Sequence, residues 1–325
     1  MVICKFYGSN NLFYDFTVLL KQNNWLQHHL NCIKTQLSQN VTTNRIQMRY
    51  LIITLLPILM FSCKTKESKE DVKFDTPAEV VVPEFQTILD SSDLEGAILI
   101  YDKKKNTYYS NSFSESRVQH LPASTFKIPN SIIGLELNIL ENEKTIFKWD
   151  GSERYLPVWE QDLSLKDAFQ TSCVPCYQEL ARKIGVEEMK KYVKKLKFGQ
   201  MDISEETIDN FWLMGSSKIS PFEQVDFLKR LKEEQLPISK STHETIKIIL
   251  KIESTDSYTL SGKTGLSVYG EKDVGWFVGF VEKESNVYYF ATKISPRLND
   301  MARDDFNPLR QEVSIKALSK MNIVE

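Results

Sequence analysis

The sequence predicts an α+β protein, an antiparallel sheet flanked by helices with an all-helical lobe inserted between its strands. Two observations carry this. Short segments with strand character lie at both ends of the folded region, whereas between Asp162 and Ile252 the apolar periodicity is almost wholly helical. A sheet assembled from distant parts of the chain leaves a cleft where it meets the lobe. With 325 residues and 42% hydrophobic content, the chain can build one large domain and still carry an extra N-terminal segment. The net charge of −2 favours no particular partner. Lysine runs at 103–105 and 190–197 are offset by acidic residues elsewhere and read as solvated faces, not as a nucleic-acid footprint.

The folded region begins near Pro77 with a short helix through Phe85 to Leu89. Gly96 to Tyr101 and Thr107 to Tyr109 read as strands joined by a turn over Lys103 to Asn106. An apolar helical run follows Ser124: Ile128, Ile132, Ile133, Leu135, Ile139 and Leu140. Leu163 to Gln170, Tyr177 to Ile184 and Val186 to Leu196 are helices of the lobe, with Gly185 and Gly199 as stops. Ser220-Pro221-Phe222-Glu223 and Ser241-Thr242-His243-Glu244 have the form of capping boxes. Tyr258 to Thr264 returns to strand character. Val274 to Glu282 and Val287 to Ile294 form a hairpin, and Asn307 to Met321 is a closing helix.

Ahead of this domain, residues 1–47 show no clear periodicity. Met48-Arg49-Tyr50 opens an apolar run, Leu51 to Phe61, that ends at Ser62-Cys63. The run is far shorter than the roughly 20 residues a membrane-spanning helix needs, and it fits the apolar segment of a secretory signal over 48–62. It resembles a bacterial lipoprotein signal, which implies lipidation of Cys63 and a polar tether over 63–76, ahead of a domain over 77–325. Translation then starts at Met48, and 1–47 is an upstream artefact of start-site choice. Of five cysteines, Cys173 and Cys176 alone have metal-like spacing, but no second Cys or His pair follows. They read as two small, half-buried side chains. A local disulfide is the alternative in an oxidising compartment, against the strain of helical spacing.

Ser124-Thr125-Phe126-Lys127 places a hydroxyl and an amine three residues apart at the start of a helical run. Residues at i and i+3 share a helix face, so Lys127 can take the Ser124 proton, and the helix terminus favours an oxyanion there. Between Phe126 and Ile128 the lysine loses proton affinity, because desolvation disfavours its charged form. Ser172-Cys173-Val174 follows at a break between helical runs, where a serine can relay a proton. Lys263-Thr264-Gly265 ends a predicted strand and offers a charge, a hydroxyl and close backbone approach to a carboxylate. Each is commonplace alone, but their order and spacing together are not.

With these three motifs the sequence resembles the class D, or oxacillinase-type, serine β-lactamases of the penicillin-recognising superfamily. The likeness runs from about Gly96 to Ala317. It includes Lys148-Trp149-Asp150-Gly151, Tyr177-Gln178-Glu179, Phe211-Trp212-Leu213 and Gly275-Trp276-Phe277-Val278-Gly279. It implies a serine β-lactamase/transpeptidase-like fold and hydrolysis of β-lactams through an acyl-enzyme on Ser124, conferring resistance. It further implies N-carboxylation of Lys127 by carbon dioxide or bicarbonate, with no bound cofactor or metal. Trp212 and Val174 would stabilise the carbamate, Ser172 would shuttle the proton, and the Ser124 and Leu266 N–H groups would form the oxyanion hole. Lys263, Thr264, Gly265 and Arg310 would hold the substrate carboxylate. The implied setting is the periplasm of a Gram-negative bacterium, with the membrane reached only through the lipid anchor.

Two departures stand out: Phe198-Gly199-Gln200, where the family usually has asparagine after the glycine, and the paired cysteines after Ser172. Sensor domains of β-lactam receptors share the motifs and stay acylated, but they are tethered to multi-span membrane segments. A peptidoglycan transpeptidase would use the same Ser124 and Lys127, though the class D form of the motifs and the Trp212 segment favour the hydrolase. A Ser-His-Asp hydrolase lacks a Gly-x-Ser-x-Gly elbow here.

Overall fold

The computed structural model describes residues 76–269, 272–298 and 301–325. The expected signal, Cys63 and nearly all of the tether lie outside them. Nine strands and nine α-helices are found among the described residues. In chain order they are β1 (Ala78–Val81), α1 (Pro83–Asp90), β2 (Leu94–Asp102), β3 (Thr107–Ser110), α2 (Phe113–Ser116), α3 (Lys127–Glu136), β4 (Ile146–Phe147), β5 (Leu163–Ser164), α4 (Leu165–Gln170), α5 (Val174–Ile184), α6 (Val186–Leu196), α7 (Pro221–Lys232), α8 (Lys240–Leu250), β6 (Lys251–Ser254), β7 (Tyr258–Tyr269), β8 (Lys272–Lys283), β9 (Asn286–Pro296) and α9 (Arg303–Lys320).

Seven strands form one sheet in the order β1-β3-β2-β9-β8-β7-β6, while β4 and β5 pair separately. The first three neighbours after β1 come from both ends of the domain, as the sequence predicts. All contacts in the large sheet are antiparallel except β1 with β3, which is parallel. Strand β1 escapes the sequence reading because its four residues are all exposed and show no buried alternation. Strand β6 escapes it for the same reason.

Side chains on the sheet alternate between two apolar clusters, the period-two consequence of the pleat. On β2, Ile98 and Ile100 face α1 and α9, while Leu99 and Tyr101 face the helical lobe. On β9, Phe290 and Ile294 take the first side and Tyr289 and Ala291 the second. Strand β6 pairs with β7 only as far as Ser261, so from Gly262 onward β7 presents a free edge to the lobe.

Helix boundaries follow the capping chemistry, with instructive shifts. Ser220 forms the expected capping box with Glu223 at the start of α7. At α8 the cap is Ser239, not Ser241: Ser239 Oγ accepts from Thr242 N. The carboxylate that completes this cap comes from another helix, since Glu136 of α3 accepts from Ser239 N and Thr242 Oγ1. Helix α3 stops at Glu136 because Asn138 turns into a left-handed conformation at φ 55°, so Ile139 and Leu140 lie beyond it. Helix α9 opens four residues before the expected Asn307 and carries Pro308 within its second turn.

Candidate active site

Ser124 lies on a single 3₁₀ turn, Ala123–Phe126, that runs straight into α3. Side chains at i and i+3 eclipse in such a turn, so the Lys127 amine lies over the serine. Its Nζ is 2.9 Å from Ser124 Oγ. The turn is held from three directions. Ala123 N donates to Trp212 O at 2.8 Å, Trp276 Nε1 donates to Leu121 O at 2.8 Å, and Thr125 Oγ1 accepts from the buried Gln224 amide at 2.7 Å. Ala123 itself has φ 50°, a conformation an alanine adopts at a cost, which these bonds offset.

Lys127 is fully buried. The Tyr177 ring lies 5.1 Å from its Nζ, and Tyr177 is fixed by a 2.7 Å bond to Ser131. Phe126 stacks on Trp212 at 5.7 Å between centroids, and Phe211 meets Trp212 edge-on at 5.0 Å. Burial in these surroundings pushes the Lys127 amine well below the usual lysine range, and the nearby Lys263 charge lowers it further. Trp212 Nε1 is buried and has no hydrogen-bond partner among the described residues. Ser124 and Lys127 are brought together, and Trp212 meets the same turn through its backbone carbonyl and its stack on Phe126.

Ser172 stands at the break between α4 and α5, in the left-handed region at φ 58°. Its N donates to Phe169 O at 3.2 Å, and its hydroxyl has no partner among the described residues. Val174, the first residue of α5, is partly buried against the lobe core. Cys173 and Cys176 correct the sequence reading: they form a disulfide, with 5.4 Å between Cα atoms, and Cys173 is fully buried. The expected helical strain is avoided because Cys173 lies outside the helix as its N-cap, so only Cys176 has helical geometry.

The Lys263, Thr264 and Gly265 segment lies on the free edge of β7. Lys263 Nζ donates to Thr264 O at 3.0 Å and lies 5.7 Å above the Phe169 ring. Burial, with the Arg310 charge nearby, brings its pKa down to about 7. A side chain at Gly265 would come within 3.3 Å of Ala123, Pro122 and Thr125, so its absence lets β7 lie directly against the Ser124 turn. Arg310, from α9, passes over Gly275, where an added Cβ would meet its Cγ at 2.6 Å. Its Nη1 donates to Gly265 O at 3.1 Å. Leu266 follows on the same edge, opposite Gly275 of β8. A cleft of about 250 Å³ extends from Lys263 and Thr264 between Phe169 and Gln311.

The arrangement sets a buried amine of lowered proton affinity against the Ser124 hydroxyl and places two cationic side chains, Lys263 and Arg310, along the β7 edge. A family model described as the penicillin binding protein transpeptidase domain matches residues 89–306. The β-lactamase OXA-10 of Pseudomonas aeruginosa is 38% identical over 234 residues, which are 71% of this chain and 86% of that protein. The chain belongs to the class D serine β-lactamases. Among solved structures, the class D β-lactamase of Sebaldella termitidis superposes with a TM-score of 0.73 at 36% identity, over 77% of this chain and all of that one. The regulatory protein BlaR1 of Bacillus licheniformis is 32% identical over 227 residues, 70% of this chain and 37% of that protein. Within this family, the departure at Gln200 lies on an isolated bridge to Lys218, away from the Ser124 turn in sequence but one residue from the bridge partner His120↔Ile219.

Several residues that build the site have no mark in the sequence. Ala123 carries positive φ without being glycine, and Gln224 lies in a helix whose pattern reads as ordinary amphipathic packing. Tyr177 and Trp276 stand in segments that resemble the family, yet their contacts with Lys127 and Leu121 are visible only in three dimensions.

Proposed function

We propose that this protein hydrolyses β-lactam antibiotics through an acyl-enzyme on Ser124, with N-carboxylated Lys127 as general base, and thereby confers β-lactam resistance. The observation that carries the reading is the 2.9 Å contact of Lys127 Nζ with Ser124 Oγ inside a fully buried, largely apolar pocket. Only a neutral amine adds carbon dioxide, and burial of Lys127 favours that form. The unpartnered Trp212 Nε1 and the apolar Val174 suit a carbamate at this place. The carbamate supplies a carboxylate-like base at neutral pH.

Ser124 Oγ attacks the lactam carbonyl while its proton passes toward Lys127. The Ser124 and Leu266 N–H groups take the oxyanion. Ser172 passes a proton to the ring nitrogen as the C–N bond breaks, and water then releases the acyl group from Ser124. Lys263, Thr264, Gly265 and Arg310 hold the ring carboxylate at the β7 edge. Export through residues 48–62, with Cys63 lipidated and 63–76 as a tether, would set the domain in the periplasm. No helix among the described residues is long and apolar enough to cross a membrane.

The likeness to BlaR1, and to the C-terminal domain of the Bacillus licheniformis penicillin-receptor at 29% identity and a TM-score of 0.70, supports a second reading, a module that acylates and stays acylated. Incubating the full chain with a chromogenic β-lactam separates the two. Sustained, bicarbonate-stimulated turnover lost in Ser124→Ala supports the hydrolase. A single stoichiometric burst with Ser124 labelled overturns it in favour of the sensor.

A further inference from the structure

We propose that the Cys173–Cys176 disulfide is a positioning element for Ser172, and that it makes the enzyme's turnover sensitive to dithiol reductants. The inference rests on the role given to Ser172 above. No hydrogen bond to another described residue fixes the direction of the partly exposed Ser172 hydroxyl; the residue donates through its N alone, to Phe169 O. Its placement follows the backbone, and that backbone is in the left-handed region, which a serine adopts at a cost.

The disulfide is attached at the next residue. Cys173 N donates to Ala168 O at 2.8 Å, and Cys173 Sγ accepts from Cys176 N at 3.2 Å while bonded to Cys176 Sγ. The bond therefore ties the end of the Ser172 turn to the first turn of α5. The next residue, Tyr177, carries the ring that lies against Lys127. A loop closed over a sequence separation of three removes little freedom from the unfolded chain, so the bond acts chiefly on local geometry and not on global stability. Cys173 is buried, but Cys176 is partly exposed and borders a small cleft between Trp149 and Glu179. A dithiol can attack there. It forms a mixed disulfide, then closes on itself as a cyclic disulfide, and two electrons and two protons pass to the protein as two thiols.

The test uses the full chain, oxidised and after dithiol treatment, with differential alkylation and peptide mass mapping to report the state of Cys173 and Cys176. Reduction is expected to lower kcat about tenfold with KM changed less than twofold, and reoxidation to restore it. The Cys173→Ala/Cys176→Ala double variant should show the lowered rate with or without dithiol. In Ser172→Ala, the rate of Ser124 acylation followed by intact mass should no longer respond to reduction, a result that general loosening of the lobe would not give. Unchanged kcat with both thiols alkylated, a disulfide absent from the oxidised protein, or an undiminished response in Ser172→Ala would overturn the inference. If the oxidised protein shows no turnover at all, the hydrolase reading fails instead, and the acylation rate still tests the positioning.

Discussion

The two faces of the central sheet are built from the same alternating strands and are used in opposite ways. Beneath α1 and α9, residues such as Phe85, Ile98, Phe290 and Val313 form an apolar cluster whose burial stabilises the fold. On the lobe side, the same sheet and its covering helices bury Lys127, Lys263 and Lys293. No lysine is buried on the first face among the described residues. Desolvation is a gain for the first set and a cost for the second, and that cost appears as amines held below their usual proton affinity. One face holds the molecule together, and the other lowers the proton affinity of its buried amines.

Substitutions that exchange these uses test the contrast, the largest effect first. Lys127→Met removes the base while keeping the volume, so turnover should fall by about 10³-fold or more in steady-state assays. The melting temperature should rise, since a buried amine gives way to an apolar side chain. Phe85→Ala should do the reverse, lowering stability by about 3–5 kcal/mol in denaturant unfolding while the folded fraction keeps its kcat. A Lys127→Met protein that melts lower, or a Phe85→Ala protein with impaired kcat, would break the division.

Trp212→Phe deletes a donor and leaves the stack on Phe126, so kcat should drop about 10²-fold with a small change in melting temperature. Gly275→Ala displaces Arg310 and should raise KM about tenfold for substrates bearing the ring carboxylate, with kcat nearly constant. Lys263 yields an effect spread over pH, a slope. Its folded pKa is about 7, against an ordinary value of about 10.4. Between these the unfolded chain holds more protons than the folded one, so stability should rise with pH from 7 toward 10 and be lowest below 7. Comparing unfolding of the parent with Lys263→Met should show the parent gaining about 1 kcal/mol per pH unit across that window.

Much of this division was legible in the sequence, and the residues show why the rest was not. The Ser124–Lys127 pair announces itself because an i, i+3 spacing brings the hydroxyl and the amine within 2.9 Å. The α7 cap and the β8–β9 hairpin follow from local pattern in the same way. What stayed hidden depends on partners far along the chain. Glu136 completes the cap of α8 from another helix, Gln224 reaches Thr125 across 99 residues, and Trp276 fastens Leu121 from a distant strand. Strands β1 and β6, each with every residue exposed, leave no apolar signature to read. The disulfide was weighed on helical spacing, and the decisive fact, that Cys173 is a cap and not a helical residue, is a matter of backbone geometry.

The central claim is that burial favours the neutral form of Lys127, so that it takes up carbon dioxide and its carbamate serves Ser124 as a base. The most direct measurement is carbon-13 NMR of the full chain in labelled bicarbonate, with turnover followed in parallel. The account predicts one carbamate resonance, absent in Lys127→Ala and lost together with activity as the pH is lowered. A chain that turns over substrate with no such resonance, or one whose resonance persists in Lys127→Ala, would contradict it.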